Sequence, residues 1–133
     1  MKAVFADAFY FVALLNRADQ HHARTVVAAR QLREPLLTTE WVLTEFADAL
    51  AESTSRRLVL PFIRSLERDS QVTIIRASPE LLQRGLRLYD ERGDKQWSLT
   101  DCISFVVMEA EGITDALTGD RHFKQAGFRA LLE

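Results

Sequence analysis

The most constraining feature of this chain is an apolar run near its amino terminus that contains a single charge. Residues 3–15 read Ala-Val-Phe-Ala-Asp-Ala-Phe-Tyr-Phe-Val-Ala-Leu-Leu, and the one acid is Asp7. An ionised carboxylate is costly to bury unless it is paired or binds a metal ion. The sequence therefore predicts that Asp7 has partners elsewhere in the chain, which can be searched for among its other acids.

Length and composition favour one ordinary globular domain over residues 1–133, with 47% hydrophobic and 27% charged residues. The net charge of -2 gives no overall basic signal for a nucleic-acid partner, although local charge matters more than the total. Cys102 is the single cysteine, which excludes an internal disulfide. The run around Asp7 is too short to span a bilayer and lacks a clear signal-peptide cleavage site, so we expect a cytoplasmic protein without membrane attachment.

Short apolar segments alternate with helical patterns, which predicts an α/β fold with a parallel sheet and right-handed crossovers. Strands are predicted at 2–6, 36–38, 72–75, 113–118 and 128–131. Helices are predicted at 9–15, after Asp19, at 40–52, around 58–66, at 79–92 and at 99–111, with a short helical turn at 120–125. Asp19 is the expected N-cap of the second helix, with Val27 on its inner face, and Pro61 is expected to start or kink the fourth.

Two acids directly follow predicted strands, at the edge where ligands bind in α/β sheets. Asp7 ends the first strand, and Asp120 follows the fourth within the motif LTGDRHF at residues 117–123. Each could instead be an ordinary helix cap or turn aspartate. Asp115 lies inside the fourth strand and is a weaker candidate. His122 is read as a surface turn residue that could also touch a substrate phosphate.

Two further acids lie on helices. Asp101 belongs to the motif SLTD at residues 98–101, which has the form of a capping box with Ser98. The helix that follows is almost wholly apolar, so Asp101 lies beside buried positions and can cap the helix and bind a metal together. Glu45 falls between the polar and apolar sides of its helix, and by itself it reads as a solvated glutamate.

The four acids together form an oxygen-rich set without zinc-type histidine or cysteine spacing, and hard oxygen ligands suit Mg²⁺ or Mn²⁺. Ser98 and Thr100 lack a neighbouring histidine, so a nucleophilic triad is unsupported. A glycine-rich phosphate loop is also missing from the sequence.

The chain resembles the PIN-domain family, and within it the small bacterial VapC-like toxins, over essentially its whole length. The resemblance is carried by Asp7 after the first strand, the segment TEF at residues 44–46, SLTDC at 98–102 and LTGDRHF at 117–123. It implies a three-layer α/β/α sandwich with a central, mainly parallel sheet. It also implies a metal-dependent ribonuclease. The family's acidic positions match Asp7, Glu45, Asp101 and Asp120, and Thr118 matches a hydroxyl often near the metal.

The same resemblance implies a separate antitoxin as a protein partner, and a homodimer. Arg56, Arg57, Arg121 and Lys124 are the candidate residues for binding single-stranded RNA, with solvated arginines on helix faces as the alternative. One departure stands out, because the family commonly has serine or threonine after the first aspartate, where this chain has Ala8. This leaves a second reading open, in which the chain is a PIN-like module that binds RNA or protein with little or no catalysis.

Overall fold

The computed structural model describes residues 2–133, which form five strands and seven helices in alternation. The strands are β1 Val4–Ala6, β2 Leu36–Thr39, β3 Val72–Ile75, β4 Asp115–Leu117 and β5 Arg129–Ala130. The helices are α1 Ala8–Leu15, α2 His22–Gln31, α3 Glu40–Ala49, α4 Arg56–Arg68, α5 Pro79–Glu91, α6 Leu99–Ala110 and α7 Arg121–Gln125.

All the strands pair in parallel, in the order β3-β2-β1-β4-β5. The chain therefore winds from β1 outward through β2 to β3, crosses back, and continues outward through β4 to β5. The direction of winding reverses between β1 and β4, and such a switch point opens a crevice at the carboxyl ends of the two strands. The predicted α/β fold with a parallel sheet is confirmed.

Because parallel crossovers are right-handed, α1 to α4 cover one face of the sheet and α5 to α7 cover the other. Aromatic pairs hold each helical layer in place. On the first face Phe11 of α1 packs on Phe46 of α3, with ring centroids 5.6 Å apart. On the second face Phe123 of α7 lies 6.2 Å from Phe5 of β1 and 5.0 Å from Phe105 of α6. The three layers predicted from the family resemblance are thus present.

Local sequence signals explain where several helices begin. The Ser78 hydroxyl accepts a hydrogen bond from the Leu81 N–H at 3.2 Å, and Pro79 occupies the first helical position of α5. Thr39 caps α3 in the same way, accepting from the Val42 N–H at 3.1 Å. The helix starts predicted at residues 40 and 79 are therefore confirmed.

The second helix departs from its prediction. His21, not Asp19, stands at the N-cap of α2, and Asp19 instead accepts a hydrogen bond from the His21 N–H at 2.8 Å in the preceding turn. Val27 was expected inside but is 52% exposed, whereas Thr25 is fully buried. Because apolar residues lie on more than one side of α2, helical periodicity alone predicted the wrong side to be buried.

Pro61 does not start a helix, since α4 begins at Arg56 and continues through it. A proline in a helix interior removes one backbone hydrogen bond. Val59 and Leu66 on the same helix are buried in the core, and their packing compensates for the missing hydrogen bond.

The close contact between α5 and α6 generates a test of the packing. A Cβ atom added to Gly85 would collide with Cγ1 of Ile103, which is fully buried on α6. We expect Gly85→Ala to lower the free energy of unfolding by about 1–2 kcal/mol, because an overpacking cost of about 2–3 kcal/mol outweighs the gain of about 1 kcal/mol in helix propensity. Chemical denaturation measures the change.

Gly93→Ala is the matched control, because a Cβ there meets nothing within 4 Å. It should change the unfolding free energy by less than about 0.5 kcal/mol. An alanine at position 85 that leaves stability at the parent level would contradict the close approach of the two helices.

Candidate metal centre

Asp7 and Thr118 meet at the carboxyl ends of the two central strands. Ala6 of β1 is the register partner of Leu117 of β4, so the residues after them are neighbours. The Thr118 hydroxyl donates a hydrogen bond to Oδ2 of Asp7 at 2.8 Å. Asp7 is 4% exposed and stands at the N-cap position of α1, but its side chain makes no capping hydrogen bond. The Thr118 hydroxyl therefore ties the Asp7 carboxylate to the residue that follows β4.

The same hydroxyl also positions a second acid of the site, Asp120. Thr118 Oγ1 accepts a hydrogen bond from the Asp120 N–H at 3.0 Å while it donates to Asp7. Gly119 lies between Thr118 and Asp120, and a Cβ atom at this position would lie 2.5 Å from the Phe9 ring of α1. Only a glycine permits this close approach. Thr118 and Gly119 together thus set the path of the chain into Asp120.

Asp101 is held by the capping box that the sequence predicts. Its N–H donates to Ser98 Oγ at 3.0 Å, and its Oδ2 accepts from the Ser98 N–H at 3.1 Å. The side chain is nevertheless buried, with the residue 6% exposed. The capping role and the site role are compatible, because Oδ1 accepts no hydrogen bond from residues 2–133.

His122 connects Asp101 to Asp120, a role that the sequence reading missed. Its Nδ1 lies 2.9 Å from Oδ2 of Asp101 and 3.5 Å from Oδ1 of Asp120. The backbone N–H of His122 also donates to Asp120 Oδ1 at 2.9 Å. With 19% of the side chain exposed, the reading of His122 as a surface turn residue is wrong. The only feature of the sequence that pointed to this role was the position of His122, two residues after Asp120 on the first turn of α7.

The structure brings Asp101, Asp120 and His122 into the most compact group of possible metal donors. One donor atom from each lies within 4.8 Å of the others. Asp7 and Glu45 lie outside this group but close enough to act on it electrostatically. Of the four predicted acids, the structure thus brings Asp101 and Asp120 together with His122, while Asp7 and Glu45 lie near enough for the acid charges to affect their pKa values.

Burial and mutual repulsion raise the pKa of two of these acids. Burial is the main reason that the pKa of Asp7 rises from 3.8 to about 7, with smaller contributions from the charges of Glu45 and Asp101. The Thr118 hydrogen bond acts in the opposite direction. Partial burial, followed by the charges of Asp101 and Asp120, also raises the pKa of Glu45. These shifts indicate a site that lacks a compensating positive charge.

The candidate RNA-binding residues are spread over the surface. Arg121 directly follows Asp120 and lies at the site. Lys124 lies 3.4 Å from the carboxylate of Glu133. Arg56 donates to the Ala51 carbonyl oxygen, and Arg57 lines a cleft of 530 Å³ together with the loop after α1. Of the four, only Arg121 directly adjoins one of the acids.

The chain belongs to the PIN domain family, which matches residues 4–129. One relative is the 23S rRNA-specific endonuclease VapC20 of Mycobacterium tuberculosis, which is 23% identical over 125 residues, covering 94% of this chain and 95% of the relative. The predicted membership of the PIN family, with its VapC-like proteins, is confirmed.

Two solved structures share the fold. VapC20 of Mycobacterium tuberculosis, described as a sarcin-ricin loop cleaving toxin, aligns with a TM-score of 0.86 and 22% identity, over 94% of this chain and 95% of that one. VapBC2 of Rickettsia felis, bound to a DNA fragment from its promoter, aligns with a TM-score of 0.64 and 14% identity, over 96% of each chain. Within residues 2–133, no helix combines the length and apolar character needed to cross a bilayer.

The raised pKa of Asp7 generates a prediction for metal-free protein. An acid with a higher pKa in the folded chain binds more protons when folded, so stability falls as the pH rises from about 4 to about 7. Asp7→Asn removes this ionisation but keeps an acceptor for Thr118. In the presence of EDTA we expect the variant to exceed the parent by about 2–4 kcal/mol at pH 8, with the difference vanishing near pH 4.

Chemical denaturation across this pH range provides the measurement, and excess Mn²⁺ should reverse the order at pH 8 by stabilising only the parent. Parallel pH profiles for the two proteins in EDTA would contradict a buried, ionisable Asp7.

Proposed function

We propose that this protein is a metal-dependent endoribonuclease that hydrolyses RNA phosphodiester bonds, and that it is the toxin of a toxin–antitoxin pair. The observation that carries this is the hydroxyl bridge of Thr118, which draws Asp7 and Asp120 together beside Asp101 at the switch point of the sheet. A relative named as a 23S rRNA-specific endonuclease supports RNA as the substrate class. Residues 1–133 act as one catalytic domain in this proposal.

The residues present fit a hard divalent cation, Mg²⁺ or Mn²⁺. Oδ2 of Asp101 and Oδ1 of Asp120 are engaged by protein donors, whereas the other oxygen of each accepts no hydrogen bond from residues 2–133. Carboxylate oxygens are the ligands that such ions prefer. Asp7 adds a buried carboxylate whose raised pKa reflects the cost of its charge, a cost that a cation would remove. Asp7, Glu45, Asp101 and Asp120 are the proposed ligands.

Each protein group has a distinct part in the proposed reaction. A divalent ion held by the four acids would supply charge neutralisation at the phosphate and activation of a water molecule. Thr118 fixes the Asp7 carboxylate by donating to one of its oxygens. His122 fixes Asp101 in the same way through Oδ2. Preorganisation of this kind keeps the acids in place while a flexible RNA strand is positioned.

The proposed partners follow from the proposed activity. Asp7 and Asp120 lie at the carboxyl end of the sheet, and Arg56, Arg57, Arg121 and Lys124 are the candidate contacts for a single strand of RNA bound there. A separate antitoxin and a homodimeric assembly are part of the proposal, as is a cytoplasmic location with access to the RNA. The co-structure named VapBC2 supports an antitoxin partner by analogy of fold.

The alternative of a binding module without catalysis was based on Ala8, which lacks a hydroxyl. Thr118 donates its hydroxyl to Asp7, so a hydroxyl is present beside this acid despite Ala8. No observation among residues 2–133 then favours the alternative over an enzyme.

Substitution of Asp101 tests the nuclease directly. Asp101→Asn keeps an oxygen to accept from the Ser98 N–H but removes the charge, so the cap survives while the metal site is weakened. We expect cleavage of single-stranded RNA with Mg²⁺ or Mn²⁺ to fall by at least about 100-fold. A fluorescence-quenched RNA substrate measures the rate.

The matched control is Asp115→Asn, which removes a carboxylate paired with Arg129 at the start of β4, on the opposite edge of the sheet. It should cleave at the parent rate. Equal rates for Asp101→Asn and the parent would overturn the assignment.

His122 can be tested through metal binding without any turnover. His122→Ala removes the contact that orients Asp101, so we expect the affinity for Mn²⁺ in calorimetry to fall by about 10-fold or more. His22→Ala is the control, because His22 contacts the Ala13 carbonyl oxygen instead of an acid of the site. If both variants bind Mn²⁺ as the parent does, His122 does not orient the site.

A further inference from the structure

A second, polar cleft opens directly beside the acidic centre. It encloses 260 Å³ and is lined by the segment 94–96, by Arg121 and His122, and by Gln125. His122 belongs to both places, since it lines this cleft while its Nδ1 contacts Asp101. A ligand in the cleft would therefore be a direct neighbour of anything bound at the acids.

The cleft holds two cations that form no ion pair within the part of the chain that the structure describes. Lys95 is half-buried and Arg121 is exposed, and neither lies within 4.0 Å of an acid among residues 2–133. Asp94 is the only acid in the lining, and Arg92 contacts it through two hydrogen bonds of 2.9 and 3.0 Å. Because Arg92 already neutralises Asp94, Lys95 and Arg121 remain available to bind an anion.

The neutral lining of the cleft also presents a donor. The Trp97 indole N–H donates to Oε1 of Gln125 at 3.0 Å. An indole nitrogen can only donate, so the carbonyl oxygen of the Gln125 amide must face Trp97. The amide NH₂ of Gln125 is then left to donate to a ligand. A cleft with two cations and an amide donor is suited to phosphate oxygens.

We infer that this cleft binds a backbone phosphate of the RNA strand next to the phosphate held at the acidic centre, with Lys95 and Arg121 as the binding residues. The inference rests on the proposed RNA substrate and deepens it. The four acids repel a polyanion, so the strand needs positive contacts close to the reaction. Phosphate contacts of this type set register and orientation without reading the base sequence.

Equilibrium binding tests the cleft separately from catalysis. The protein carries Asp101→Asn and is kept in EDTA, and a labelled single-stranded RNA is followed by fluorescence anisotropy between 50 and 200 mM salt, about the range in which phosphate contacts dominate. Lys95→Gln and Arg121→Gln should each weaken binding about five- to tenfold at low salt. In the double variant, the slope of log Kd against log salt should decrease by about 1.4, or about 0.7 per lost contact.

Lys2→Gln is the matched control, because Lys2 is an exposed lysine just before β1, on the opposite edge of the sheet. It should leave both the affinity and the salt slope at the parent values. Lys2, Lys95 and Arg121 are half-buried or exposed, so a melting temperature equal to that of the Asp101→Asn protein will show that each added substitution leaves the fold intact.

The outcomes distinguish the two proposals. If the cleft variants match Lys2→Gln in affinity and slope, or if the parent binds no RNA, the cleft is not a phosphate site. If RNA binding depends on the cleft but the protein with its native Asp101 and Mn²⁺ does not cleave RNA, the phosphate site is supported and the nuclease proposal is wrong. If the native protein cleaves RNA while the cleft variants bind RNA normally, the nuclease proposal is supported and the phosphate site is wrong.

Discussion

The geometry of the site depends on one hydroxyl group. Thr118 has a single proton to donate, which goes to Asp7, and its oxygen accepts from the backbone of Asp120. These two hydrogen bonds join the ends of β1 and β4, where the winding of the sheet reverses. They are possible only because Ala6 pairs with Leu117 in the parallel register. A slip of one residue would turn Thr118 to the other face of the sheet and separate the acids.

The sheet register therefore has an energetic consequence for the folded protein. It buries the Asp7 carboxylate at 4% exposure and places it near two other acids, both of which raise its pKa. One hydroxyl donor only partly compensates for the lost hydration. The aromatic packing of Phe5 and Phe123 beneath the site holds β1 and α7 in place despite this cost. The fold thus maintains an unfavourable charge arrangement that a bound cation would relieve.

Much of the fold could be predicted because its signals are local. Ser78-Pro79 at the start of α5 and the capping box of α6 each specify a backbone conformation within four residues. The inner face of α2 could not be predicted, because Val27 and Thr25 differ in burial only through the elements packed against them. Where apolar residues lie on more than one side of a helix, as in α2, their periodicity does not decide which side meets the neighbouring elements.

The candidate site could likewise be predicted only in part. Asp7 and Asp120 could be proposed because both follow strands, and strand ends of a parallel sheet meet at one edge. The role of His122 could not, since its contact with Asp101 spans 21 residues and depends on how α7 packs on α6. The double role of Asp101, as helix cap and as site residue, could also be proposed from the sequence, because its motif has the form of a capping box at the start of an apolar helix. A carboxylate has two oxygens, and the structure uses Oδ2 for Ser98 and His122 while leaving Oδ1 for a ligand.

The net charge of -2 gave no indication of a polyanionic substrate, and the structure explains why the total is uninformative. Acids concentrate at the sheet edge, while Lys95 and Arg121 lie immediately beside them in a separate cleft. The potential that a strand of RNA meets is the local sum of these groups. Pairing of Asp94 with Arg92 increases the positive sum in the cleft, because without it the acid would cancel one of the two cations. A surface ion pair that contributes little to stability can thus still strengthen the attraction of a neighbouring site for an anion.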